Sequence, residues 1–310
     1  MKKFFSKIIL FSILLIVPPS TFVIFFETNS EIRKRMHFLY IHGYNIIIEK
    51  IKNYDQQKII FIGGSNVGFG ISSKMIEDSL GIKTFNIGVH GDIGIKKWIN
   101  DISKNLKSND IVIFSPEYRN FDLNNYGRGK NYVQFINNFG VLEIRSFRAF
   151  YHYLEHIRRK IFYSSDPMKL KYDINWFNEN GDVIGHYNEP MKYKLITEFS
   201  GGSPENSVLK NLKSYIESKL GGISYFIIPP ATHELRFTLE EEIELNNNLQ
   251  KIFKEKYPLS INSSTFKSKC FYDTQYHLNY HCAKKRTKMI LDFLKTEFID
   301  RRNHSNKNIN

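Results

Sequence analysis

Short apolar runs and helical repeats alternate along the chain. Runs rich in β-prone residues occur at about 58–62, 84–87 and 110–114, and each stops at glycine, serine or proline. Apolar runs of this length are typical of strands buried in a parallel sheet. Between them, a short helix is predicted at about 74–80, with Ser72 or Ser73 as its cap and Gly81 as its stop. Apolar residues recur at helical spacing at about 95–106. The alternation predicts an α/β fold with a parallel sheet covered by helices.

The same rhythm returns after a long interruption. The later elements are predicted as a helix at Ser207–Leu220, a strand at Ile223–Ile228, a helix from the capping box at Thr238 to Phe253, and a last helix at Cys282–Phe298. The interruption, at about 120–205, is rich in aromatic residues, His and Asn, with one helical stretch near 142–162. We interpret it as an insertion beside the carboxyl edge of the sheet, which either shapes substrate binding or forms a structural subdomain.

The N-terminus has the pattern of a membrane anchor. Residues 8–26 carry no charge, and a bilayer-spanning helix needs about 20 such residues. No small-x-small cleavage site follows, which favours an uncleaved anchor over a removed signal peptide. Lys2, Lys3 and Lys7 favour a cytoplasmic N-terminus at residues 1–7, although the basic triplet 33–35 opposes this orientation.

The remaining boundaries follow from the anchor. Residues 27–56 are predicted to form a helical stalk, residues 57–299 an α/β domain outside the cytoplasm, and residues 300–310 a disordered tail. The membrane is thus the first predicted partner of the chain.

Composition narrows the classes of partner and cofactor. The net charge of +13 raises a nucleic-acid hypothesis, but Lys and Arg are scattered and no nucleic-acid motif is present. A basic surface outside the cytoplasm fits anionic lipid or acidic glycan better. Cys270 and Cys282 could pair in an oxidising compartment, but are too few for a metal site. His152 and His156 have the spacing of a metal pair without a third ligand, so no metal is predicted.

Candidate chemistry centres on Ser65. The strand at 59–62 ends in Gly63-Gly64, where glycines let the backbone turn, and Ser65 follows at the carboxyl edge of the sheet. A serine nucleophile needs a base, an acid to orient that base, and donors for the oxyanion. Asp273 and His277 lie together on the loop before the last helix, and the N–H of Gly91 follows the second strand at the same edge.

These motifs resemble the SGNH/GDSL hydrolase superfamily, specifically its membrane-anchored bacterial branch related to cell-surface polysaccharide acylation proteins. Gly63-Gly64-Ser65-Asn66 is similar to the first family block, and residues 86–92 are similar to the second. Residues 273–279, followed by Arg286-Thr287, are similar to the last. The resemblance covers about 57–115 and 223–295, and implies a flavodoxin-like three-layer fold.

The resemblance assigns roles to four residues. It implies that Ser65 is the nucleophile, His277 the base, Asp273 the acid, and Gly91 an oxyanion donor together with the Ser65 amide. It implies no metal and no nucleotide cofactor.

The chain departs from the family pattern in two places. Three residues separate Asp273 from His277, where the family has two. The asparagine of the third block is not evident after the third strand, and either Asn66 or Asn120 could replace it as an oxyanion donor. Glu117 and His233, at the ends of the third and fourth strands, are candidates for substrate contact, although either side chain could instead be structural.

The resulting expectation is a membrane-anchored serine esterase or O-acyltransferase acting on acyl groups of cell-envelope glycan through an acyl-serine intermediate. It would reside in the bacterial cytoplasmic membrane with its bulk in the periplasm, and an integral-membrane acyl-transfer protein could be its partner. One alternative is a non-catalytic binding or assembly protein of a surface-polysaccharide pathway that keeps the fold. A second is an intracellular nucleic-acid binder.

Overall fold

The computed structural model describes residues 41–121, 174–190 and 204–307, with residues 4–7, 11 and 21 before them. Nearly all of the predicted anchor at 8–26 and most of the predicted insertion, including His152 and His156, lie outside the described residues. Within the described ranges, no helix combines the length and apolar character needed to cross a bilayer.

Four parallel strands form the central sheet. They are β1 (Lys58–Gly63), β2 (Lys83–Asn86), β3 (Ile111–Ser115) and β4 (Ser224–Ile227), in the order β2-β1-β3-β4. The α/β class and the parallel sheet predicted from the sequence are therefore confirmed, and the strand order is compatible with a flavodoxin-like fold. Gly63 pairs with Ser115, so β1 and β3 end side by side.

Helices cover both faces of this sheet. They are α1 (Ile41–Lys52), α2 (Ser65–Gly68), α3 (Ser73–Leu80), α4 (Ile95–Ser103), α5 (Asn206–Leu220), α6 (Leu239–Phe253) and α7 (Tyr280–Lys307). The pleat of β1 sends Ile60 and Ile62 into a core with α1, α4, α5 and α6. It sends Ile59 and Phe61 into a second core with α3 and α7.

Helix ends follow the predicted signals. The Ser72 side chain accepts a hydrogen bond from the Met75 N–H at the start of α3, and Gly81 ends that helix at φ 67°. Thr238 and Glu241 form the predicted capping box at the start of α6. These short-range patterns act locally, so they could be identified from the sequence.

Two ends of the domain differ from the expectation. The described part of the predicted stalk, α1, buries Tyr44, Ile47 and Ile51 in the core of the domain. Residues 301–307, predicted to be a disordered tail, continue helix α7. This polar stretch contains neither proline nor glycine, and each further residue adds a backbone hydrogen bond to a helix that already exists.

The described part of the insertion, residues 174–190, docks on the edge strand β2. The Asn86 N–H donates to the Asn180 carbonyl, and the Asn180 side chain donates to the Thr84 carbonyl. Buried Asp182 accepts hydrogen bonds from the backbone N–H groups of Ser73 and Lys74, both in α3. Burial raises the pKa of Asp182, and the hydrogen bonds it accepts oppose that rise. The segment thereby covers an exposed sheet edge and joins it to α3.

Candidate active site

The turn at residues 63–69, which we call the nucleophile turn after the role predicted for Ser65, depends on close packing around its glycines. Gly64 has φ −81°, and neither it nor Gly63 has a positive φ, so left-handed backbone is not what the turn requires. A Cβ on Gly64 would lie 2.2 Å from Glu117 Oε1, and a Cβ on Gly68 would lie 1.9 Å from the Gly88 carbonyl oxygen. The strand ends at Gly63 and the helix begins at Ser65, so the chain turns sharply here as predicted, and the glycines serve mainly to let neighbouring groups approach.

Glu117 is in direct contact with Ser65. The Ser65 hydroxyl donates to Glu117 Oε1 at 3.0 Å, and the Asn66 N–H points at the same oxygen at 3.4 Å. Glu117 is fully buried, and its own N–H donates to Asn120 Oδ1 at 2.9 Å. Sequence reasoning placed Glu117 at the right edge but as a substrate contact, since spacing alone does not show which side chain meets the serine.

Asp273 and His277 form a hydrogen-bonded pair despite their unusual spacing. His277 Nδ1 lies 2.7 Å from Asp273 Oδ1, and the two side chains are 9% and 4% exposed. A carboxylate at Nδ1 favours a proton there and leaves Nε2 as the basic nitrogen. The His277 ring stacks on Phe69, with centroids 3.8 Å apart, so the pair lies beside the helical turn that begins at Ser65.

The acid–base loop, residues 270–279, is closed on itself. A disulfide joins Cys270 to Cys282 across it. Inside the loop, Phe271 and Leu278 form an antiparallel bridge, and the Tyr272 N–H donates to the His277 carbonyl at 2.8 Å. These contacts fold the loop back, which brings side chains four residues apart into contact.

His186, from the described part of the insertion, braces this loop. Its Nε2 lies 2.8 Å from the Leu278 carbonyl and so donates to it, and its ring contacts Phe69 at 4.8 Å between centroids. Burial lowers the pKa of His186 to about 4, which keeps the ring neutral near pH 7. Nothing in the sequence distinguished this histidine from the others in the insertion.

Arg286 ties the strand ends to the last helix. Its guanidinium donates to the Asn66 carbonyl at 2.8 Å, to Ser115 Oγ at 2.9 Å and to the Pro229 carbonyl at 3.0 Å. Burial lowers the pKa of Arg286 to about 9. The family resemblance included Arg286 in the last block without a role, and the structure shows it as a brace under the nucleophile turn.

The oxyanion candidates have different surroundings. Gly91 begins a short 3-10 turn, Gly91–Ile93, and its carbonyl accepts from Asn120 Nδ2 at 2.7 Å. The Asn66 side chain donates inward to Ser115 Oγ at 3.1 Å. Both asparagine side chains thus serve as internal braces. Within the described part of the chain, the hydrogen bonds found leave the N–H groups of Ser65 and Gly91 without an acceptor.

One predicted association is not seen, and His233 has partners within the protein. Among the described residues, no hydrogen bond joins Ser65 to His277, because the Ser65 hydroxyl donates to Glu117. His233 accepts from the Leu235 N–H at Nδ1, and its Nε2 lies 2.9 Å from Ser268 Oγ. His233 is therefore part of the local framework between strand β5 (Thr232–His233) and the turn at Ser268–Cys270.

The described residues contain no group of His, Cys, Asp or Glu that could hold a metal ion. Comparison with protein-family models, with curated proteins and with solved structures found no match for this chain. The family resemblance therefore rests on the motifs alone, and its functional content is carried forward as a proposal.

Proposed function

We propose that this protein transfers or hydrolyses acyl groups through an acyl-serine intermediate at Ser65. The observation that supports this most directly is the Asp273–His277 pair at 2.7 Å, held against Phe69 at the end of the turn that begins with Ser65. Acyl transfer by a serine requires a carboxylate-oriented imidazole near the nucleophile turn, and Phe69 holds His277 one helical turn after Ser65.

The proposed reaction begins with rotation of the Ser65 hydroxyl from Glu117 towards His277. His277 Nε2 takes the hydroxyl proton while Oγ bonds to the ester carbonyl carbon, and Asp273 stabilises the imidazolium. The N–H groups of Ser65 and Gly91 would donate to the oxyanion. Collapse breaks the bond to the leaving alcohol, which receives the proton from His277. Water or a sugar hydroxyl then attacks the acyl-serine with His277 again as base, giving hydrolysis or O-acyl transfer.

The substrate and location are part of the same proposal. The motif resemblance and the uncharged run at 8–26 support an acylated cell-envelope glycan as substrate and a single-pass protein of the bacterial cytoplasmic membrane with its bulk in the periplasm. An integral-membrane protein that supplies or receives acyl groups would be a compatible partner.

The decisive test is labelling of the full-length chain with a fluorescent fluorophosphonate. We expect Ser65→Ala to abolish labelling, and His277→Gln to slow it by about 10²–10⁴-fold because the base is lost. Ser214→Ala, an exposed serine on α5, is the matched control and should label like the wild type. Labelling that persists in Ser65→Ala would overturn the nucleophile assignment.

A second candidate is a binding or assembly protein that keeps this fold without turnover. The specific observation in its favour is the Ser65–Glu117 hydrogen bond, which directs the hydroxyl at a carboxylate. This candidate predicts a folded wild-type protein that is not labelled at neutral or alkaline pH, and whose glycan binding is unchanged by Ser65→Ala.

A further inference from the structure

Four lysines converge on a groove between helices α5 and α6. Lys210 and Lys213 come from α5, and Lys251 and Lys254 come from the end of α6 and the residue after it. The other residues lining the groove are Asn206, Ser214, Glu217 and Ile252. Both helices pack on the face of the sheet opposite α7, so the groove is built by elements that do not carry Ser65, Asp273 or His277.

The positive charge of this groove is largely uncompensated. Lys210, Lys251 and Lys254 are exposed, and no ion pair involves them among the described residues. Lys213 donates to the Ile252 carbonyl at 3.0 Å and lies 3.8 Å from Glu217. Four lysines thus line the groove together with one glutamate, which gives the groove a positive potential and makes it attractive to an anion.

Lys254 occupies a backbone conformation that favours glycine. Its φ is 52° and its ψ is −125°, and among the described residues it is the only non-glycine residue with positive φ. The Gln250 side chain donates to the Lys254 carbonyl and helps to hold this conformation. Stability does not explain a lysine at this position, because a glycine would relieve the backbone strain. Lys254 does, however, line the groove.

We propose that this groove binds an acidic polysaccharide through its carboxylate groups. A concave channel between two helices fits an extended chain better than the flat surface of a membrane. The lining contains no aromatic residue and no arginine, the side chains on which nucleic-acid bases stack, so a polyanion without bases is the better match. Hydroxyl and amide groups of Ser214 and Asn206 add hydrogen-bonding partners for sugar hydroxyls. The site is separate from the proposed chemistry at Ser65.

The test uses the purified full-length chain, polygalacturonate as the probe and neutral dextran as its uncharged counterpart. We expect saturable binding of polygalacturonate that weakens as salt is added, and no binding of dextran. Lys210→Gln with Lys251→Gln should raise the Kd about tenfold at low ionic strength, because two of the four cationic contacts are lost. Lys285→Gln with Lys295→Gln removes the same charge from exposed positions on α7 and should leave the Kd within about twofold.

Lys254→Gly separates a binding role from a structural one. We expect this variant to have a higher Tm, because strain is relieved, and a Kd raised severalfold. Equal Kd values for the groove variant and the α7 control would overturn the proposal, as would tight binding of Lys254→Gly. Preference for phosphatidylglycerol vesicles over polygalacturonate would overturn it in favour of a lipid surface. Ser65→Ala should bind normally, so failure here is distinguishable from failure of the proposed chemistry.

Discussion

The nucleophile turn and the acid–base loop meet at one edge of the sheet, yet they are held in place by different means. The turn depends on glycines at which any side chain would overlap Glu117 or the Gly88 backbone. The loop depends on a disulfide, an antiparallel bridge and a hydrogen bond from His186 in the insertion. One half of the candidate site is set by strand packing, whereas the other is stabilised by separate contacts that can be removed one at a time.

The largest expected effect comes from breaking the packing of the turn. Gly68→Ala would place a Cβ 1.9 Å from the Gly88 carbonyl oxygen, a backbone atom that cannot move alone. We expect a loss of about 4 kcal/mol in the free energy of unfolding, measured by urea denaturation. Gly81→Ala, at φ 67° with open space around it, is the control and should lose about 1 kcal/mol. Similar losses for both variants would contradict the close-packing account of the turn.

Removing the disulfide should weaken the loop without changing the turn. Cys270→Ser with Cys282→Ser opens a cross-link with a sequence separation of 12. We expect a loss of about 3 kcal/mol in unfolding free energy, chiefly from the entropy of the unfolded chain. Hydrogen exchange in β1 should accelerate only by the loss in global stability, whereas exchange across 271–279 should accelerate further through local opening of the loop. A reducing agent should reproduce this in the wild type and have no effect on the double variant; equal acceleration in both regions would refute the proposed independence of the two halves.

Acid should destabilise the contact between the insertion and the loop. The pKa of His186 is about 4 in the folded protein against 6.5 for an ordinary histidine, so the unfolded chain binds the proton first. Stability attributable to His186 is therefore present above the unfolded pKa and falls as the pH drops towards the folded pKa, by about 2.5 kcal/mol between about pH 7.5 and 4.5.

The measurement is urea denaturation as a function of pH. His186→Gln places an N–H close to the position of Nε2, the atom that faces the Leu278 carbonyl, but cannot titrate, so its stability should vary less with pH by about that amount. His281→Gln, which changes an exposed histidine, should keep the wild-type slope. A wild-type slope in His186→Gln would show that another group carries the pH dependence.

The smallest expected effect concerns the contact that joins the turn to β3. Glu117→Gln keeps a hydrogen-bond acceptor for Ser65 but removes the negative charge, which opposes formation of an oxyanion nearby. We expect fluorophosphonate labelling to accelerate by about threefold to tenfold, a change of about 1 kcal/mol in the barrier. Slower labelling would instead identify Glu117 as the group that accepts the Ser65 proton. Asn120→Asp, which alters the brace without touching Ser65, serves as the comparison variant.

Much of the framework could be predicted because its signals are local. The strands were predicted from short apolar runs. Ser72, Gly81 and the Thr238 capping box lie next to the helix ends that they indicate. The rule that parallel strands end together placed Ser65 and Gly91 at one edge of the sheet, and the family resemblance added Asp273 and His277. The contact between Glu117 and Ser65 could not be predicted, since two loops can approach in many ways.

From the sequence alone, the order of elements, the parallel sheet and the pairing of an acid with a histidine before the last helix could be derived. Only the tertiary structure decided that Ser65 donates to Glu117, that His186 braces the acid–base loop and that Arg286 spans three strand ends. Strand and helix formation depends on neighbours within a few residues, so the spacing of hydrophobic residues along the sequence predicts it. Contacts between residues 52 to 220 positions apart depend on how whole layers pack, which no local pattern encodes.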